Sequence, residues 1–185
     1  MTRLCLFAGI WGLLFSAPGF AADPAPACGG LASVPDAVQV AWISPSAKRV
    51  GGGTYMEVVR VQDLRAFLHA QGATQVRLLQ ALGMTNAKGK NHAAKRDYKV
   101  TIFDVRSAWM CRPLSGNAAE NVVEGVAVCP TGQQKGATHR GFTGCGYTKD
   151  AATGGRGLEV YRLRWRDASS GGFCVMPLDR FLQGA

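Results

Sequence analysis

The sequence predicts an α+β fold: a single small domain with a mainly antiparallel β-sheet, two short helices and disulfide staples. Three observations point there. Several short runs alternate apolar and polar residues, the period of a strand with one buried face. Between two such runs lie two capped segments of about two helical turns each, too short to persist without packing on something such as a sheet. Five cysteines follow what reads as an export signal, and exported chains meet conditions in which disulfides persist.

Residues 1–22 are expected to be that signal. Arg3 precedes an apolar run from Leu4 to Phe15, and a Pro18-Gly19 break leads to the small residues Ala21 and Ala22. Cleavage there leaves 163 residues, enough for one core burying roughly two-thirds of the unfolded surface, so disulfides reinforce the fold rather than replace a core. The expected location is periplasmic or secreted, and no later apolar stretch is long enough to span a bilayer. A lipid anchor at Cys28 is disfavoured, because Asp23 and Pro24 separate it from the apolar run.

The mature chain is expected to begin with an extended arm, residues 23–36, rich in Ala, Pro and Gly, with the α+β domain over 37–185. Val38, Val40 and Trp42 alternate with Gln39 and Ala41 as a half-buried strand ended by Pro45. Gly51-Gly52-Gly53 makes a turn into a strand over Tyr55 to Val61. Asp63 is placed to cap the first helix, with Leu64, Phe67 and Leu68 on one face and Gly72 as its stop. Thr74 is placed to cap the second, with Val76, Leu79 and Leu82 inward and Gly83 as its stop.

A basic loop, Lys88 to Arg96, precedes a strand in which Tyr98, Val100 and Ile102 face one way and Phe103 and Val105 the other. A further strand is expected from Val122 to Cys129. Residues 130–157 contain eight glycines and read as a long irregular segment tethered by Cys145. Leu158 to Arg166 reads as one strand, joined through Ala168–Gly172 to Phe173–Met176 as a hairpin, and Leu178, Phe181 and Leu182 suggest a final helical turn.

The mature cysteines are Cys28, Cys111, Cys129, Cys145 and Cys174. None forms a C-x-x-C pair, which argues against thioredoxin-like redox chemistry and against a zinc knuckle. The expected staples are Cys111–Cys129 and Cys145–Cys174, each worth ~3 kcal/mol in the chain-entropy description. That leaves Cys28 free or linked to another chain. His139 lies six residues before Cys145, but a nucleophile and its base are normally distant in sequence, so Cys145 reads as a disulfide partner. The G-x-S-x-G elbow, the H-E-x-x-H zinc helix and the phosphate-cradling loop are all missing, and no cofactor or metal is expected.

Charge is more informative. Without Arg3 the chain has twenty Lys and Arg against twelve Asp and Glu, which favours anionic partners or simply keeps the protein soluble. Arg162, Arg164 and Arg166 recur at every second position and would project from one sheet face, where three guanidinium forks could grip phosphates, sulfates or carboxylates. Pairing with Glu159, Asp167 or Asp179 is the plainer alternative. Lys88, Lys90, Lys95 and Arg96 form a second basic element, a solvated loop or an electrostatic arm.

Two functions compete on these residues. One is an exported, non-catalytic binding or accessory protein, such as an inhibitor or an immunity-like partner, whose partner is an unknown protein or an anionic polymer such as a polysaccharide or nucleic acid. The other is a small secreted hydrolase of ribonuclease type, with His139 (or His92) and Glu159 as acid and base and Arg162 with Arg164 as the cation facing the transition state. Glu159 falls on the opposite strand face from those arginines, which weakens the second. A covalently assembling structural component, linked through Cys28, is a third.

Overall fold

The structure, a computed structural model, describes residues 36–45, 55–85, 96–113, 128–129, 142–144, 146–168 and 172–185. Strands β1 (Ala37–Pro45), β2 (Tyr55–Arg60), β3 (Tyr98–Arg106), β7 (Tyr161–Arg164) and β8 (Cys174–Pro177) build a five-stranded sheet in the order β7-β2-β1-β3-β8. Every pairing in it is antiparallel. A small second sheet contains β4 (Phe142–Gly144), β5 (Tyr147–Lys149) and β6 (Arg156–Glu159). Helices α1 (Val61–Gln71), α2 (Gln75–Ala81), α3 (Trp165–Ala168) and α4 (Leu178–Gln183), with a 3₁₀ turn at Ser107–Trp109, complete the described elements. This is the α+β, mainly antiparallel architecture that the sequence predicts.

Both faces of the large sheet are buried. Ala41, Ile43, Val59, Val100 and Ile102 meet Leu64, Leu68, Leu78, Leu79 and Phe181 on the face covered by α1, α2 and α4. Val40, Trp42, Met56, Val58, Phe103, Val105, Tyr161 and Leu163 fill the other. For β1 this corrects the expectation of a half-buried strand, since Val40, Ala41, Trp42 and Ile43 are all buried. Small Ala41 packs under the helices, whereas Gln39, beyond the core's edge, is exposed. The alternation read in β3 holds, with Tyr98, Val100 and Ile102 on the helix face and Phe103 and Val105 opposite.

The first helix begins two residues before the expected cap. Arg60 occupies the N-cap position in extended conformation without a side-chain cap, and Asp63 sits in the first turn, accepting from Arg60 Nε at 2.6 Å. Gly72 ends the helix at φ 90, its N–H reaching the Leu68 carbonyl. Thr74 caps α2 as expected, its Oγ1 accepting the Arg77 N–H at 3.2 Å. The buried face of α2 is rotated from the expected one: Leu78, Leu79 and Ala81 are buried and Val76 is 40% exposed. The cause is the second sheet, which docks against the last turn of α2. Thr148 donates to the Ala81 carbonyl and Ala151 N–H to that of Gln80.

The C-terminal third departs most from the reading of the sequence. Leu158 to Arg166 is not one strand. It splits at Val160, with β6 pairing to β5, the Val160 N–H reaching the Gly146 carbonyl at 2.8 Å, and β7 pairing to β2. Nor do β7 and β8 form a hairpin, since β8 pairs with β3 at the opposite edge. The chain crosses between the edges through α3 on the sheet face away from α1. Trp165 there stacks on Phe173 (5.4 Å, 11° between planes), and Phe173 meets Phe103 edge-on at 5.4 Å.

Cys111 and Cys129 are joined by a disulfide, as the spacing suggests. Cys174 is disulfide-bonded as well; its expected partner Cys145 lies outside the described residues, as do Cys28, the signal, the N-terminal arm to residue 35, the Gly51–Gly53 turn and most of the Val122–Cys129 segment.

Candidate functional site

The most concentrated charge in the described structure lies where β2 passes into α1, beside the point at which the chain switches sheets. Glu159, the last residue of β6, is 7% exposed and held between two guanidinium groups. Arg60 Nη2 donates to its Oε2 at 3.2 Å, and Arg112 Nη2 pairs with its Oε1. Both guanidinium carbons lie over the Tyr161 ring, at 5.3 Å for Arg60 and 5.9 Å for Arg112. Burial first, then the Glu159 carboxylate, push the Tyr161 phenol up to about 12 against the opposing pull of the arginines. For Arg60, burial opposes the charge, but Asp63, Tyr161 and Glu159 outweigh it and raise its pKa above the ordinary value.

Local structure explains why these groups meet. The Cys111 N–H and carbonyl pair with Arg162 at 2.9 and 2.8 Å, and the Cys129 N–H donates to the Arg112 carbonyl at 2.9 Å. The disulfide therefore fixes the backbone on both sides of Arg112. Gly146, at φ +79, brings the backbone against that side chain; a Cβ there would lie 3.3 Å from Arg112 Cγ and 3.1 Å from the Val160 carbonyl oxygen.

Beside this cluster is a cleft of 420 Å³. Ala37, Val38 and Gln39 of β1 form one wall and Arg60, Val61, Gln62 and Arg65 the other. Its side chains offer two guanidinium groups and two carboxamides and, among the described residues, no carboxylate. Arg65 is exposed and in no ion pair among the described residues.

The row of three arginines expected on one strand does not form. Arg162 is buried and donates from Nη2 and Nε to Glu57 Oε1 at 2.8 and 3.2 Å, its cross-strand neighbour in β2. Glu57 is not among the acidic partners that the sequence points to; its one signal there is a polar residue inside an otherwise apolar run. Arg164 is half-buried at the end of β7, and Arg166, which was expected to continue the strand, lies on α3 with its side chain 73% exposed. Arg96 is exposed at the entry to β3, where its carbonyl accepts from the Gln75 amide. His92, His139, Lys88, Lys90 and Lys95 lie outside the described residues. His69 is exposed on α1. Among the described residues no three of His, Cys, Asp and Glu converge as a metal site, and no helix is long and apolar enough to cross a membrane. Sequence reasoning missed Arg60, Arg112 and the cleft, since only the fold brings residues 37–39, 60–65, 112 and 159 together.

Comparison with protein-family models, with curated proteins and with solved structures found no match for this chain.

Proposed function

We propose that the protein is exported to the periplasm or outside the cell and acts there as a non-catalytic binding or accessory protein, an inhibitor or immunity-like partner, that engages an anionic ligand or an acidic protein face. The observation that carries this reading is the use to which the interior charges are put. Glu159 is clamped by Arg60 and Arg112, and Arg162 by Glu57. Two of the groups that a ribonuclease-type site would draw on are thus engaged in holding strands together. Binding, by contrast, needs only exposed cations on a rigid frame, and Arg65, Arg96, Arg106, Lys149, Arg156 and Arg180 are exposed.

Affinity chromatography on the immobilised mature protein tests the proposal. A specific protein or acidic glycan should be retained from envelope extract and released as salt screens the contact. Retention of nothing beyond what a charge-matched control protein holds would contradict it.

A further inference from the structure

We infer that the cleft between β1 and α1 receives an extended, carboxylate-bearing peptide segment of the partner, which adds as a short strand beside Ala37–Gln39. The inference rests on the binding reading above and names where and by what chemistry a partner is held.

Strand β1 pairs with β3 along its whole length, from Ala37↔Arg106 to Pro45↔Tyr98. Its other side is only partly covered. The last residue of β2, Arg60, lies opposite Val40, and the chain then leaves the sheet as α1. Ala37, Val38 and Gln39 therefore have a strand neighbour on one side only among the described residues. An antiparallel strand directs its N–H and C=O groups alternately to its two sides, so this overhang turns main-chain groups without a strand partner among the described residues to the gap. The cleft occupies that gap. Its 420 Å³ is at the small end of ligand pockets, roughly 300–1,000 Å³, and suits a few residues of chain.

The lining selects the charge of the occupant. Arg60 is held in place by Asp63 and Glu159, which also offset its charge. Arg65, farther along α1, is the cation left to meet a carboxylate, with Gln39 and Gln62 as further polar contacts and Val38 and Val61 as apolar ones. A free anion would use the arginine alone. A peptide uses the arginine and the open strand edge together, and strand addition of this kind derives affinity from the main chain and selectivity from the side-chain contacts.

The test uses the mature protein and two labelled, end-blocked pentapeptides, one alternating glutamate with valine and the other lysine with valine, read by fluorescence anisotropy. The glutamate peptide is expected to bind at least about tenfold more tightly than the lysine peptide. The advantage should fall by about tenfold on Arg65→Glu, an exposed change, with a circular dichroism melt confirming the fold. N-methylation of one of the two alternate sets of peptide amides, the set that faces β1, should abolish binding without touching the protein, while methylation of the other set should leave it. Undiminished binding of both N-methylated peptides, indifference to Arg65→Glu, or no saturable binding at all would overturn the inference. A protein that retains its envelope partner but ignores every peptide loses the cleft and keeps the binding reading; one that retains neither loses both.

Discussion

Asp150 shows how this chain uses a charge. It accepts from Arg77 Nη1 at 3.0 Å and Nη2 at 2.6 Å and from the Ala152 N–H at 2.8 Å, with only 3% of its side chain exposed. Burial pushes the carboxyl up, but the Arg77 hydrogen bonds, with those from Ala152 and Thr153 and the charge of Arg77, outweigh it and hold the group below its ordinary value. Such a depressed carboxylate contributes stability that is complete above its unfolded value, about 4, and is lost as pH falls through the lower folded value. Asp150→Ala should therefore cost about 3 kcal/mol at neutral pH, and much less at a pH below the folded value, in urea unfolding. An equal loss at both pH values would contradict the assignment. The same scale marks a limit of the sequence. The basic residues were visible, but whether Arg162 faced a ligand or Glu57 depended on the register of two strands about a hundred residues apart, which local pattern does not encode.

The instructive element is the junction of α2 with the second sheet. Gly157 packs where a Cβ would collide with the Ala81 carbonyl oxygen and lie 2.6 Å from Thr148 Oγ1. Gly157→Ala should destabilise by about 2 kcal/mol, whereas Gly155→Ala, whose Cβ would meet nothing closer than Thr153 Oγ1 at 3.5 Å, should stay within about 0.5 kcal/mol. Equal midpoints for the two variants in chemical denaturation would refute the close approach. Thr148 bridges the same junction by accepting the Leu158 N–H at 3.0 Å and donating to the Ala81 carbonyl. Thr148→Val leaves both backbone groups without that partner and should cost about 2 kcal/mol by the same measurement. Elements governed by local chemistry were legible: the Thr74 cap, the Gly72 stop and the two-sided alternation of β3. The break at Val160 was not, because Leu158 to Arg164 keeps an unbroken strand-like pattern while its hydrogen-bonding partner changes from β5 to β2. The place of β8 was hidden for a related reason. A short glycine-containing link after a strand signals a hairpin, whereas here Trp165 of α3 packs on the sheet face and β8 lies at the far edge.

For the molecule as a whole, both faces of one sheet are closed by short elements, and the Cys111–Cys129 link, spanning 18 residues, braces the segment beyond β3, which the Cys111–Arg162 backbone bridge ties to the β7 edge. Replacing both cysteines by serine should lower stability by about 3 kcal/mol, seen as a lower urea midpoint, and an unchanged midpoint would show that the link adds nothing. The general architecture followed from composition and periodicity. The cleft did not, since it arises where β2 ends three residues short of β1. The central claim, that interior charges serve the frame while exposed ones bind, is tested most directly by incubating the mature protein with end-labelled RNA and resolving the products by length. Binding without catalysis predicts RNA of unchanged length after prolonged incubation. RNA shortened by the wild type and left intact by His139→Ala would contradict it.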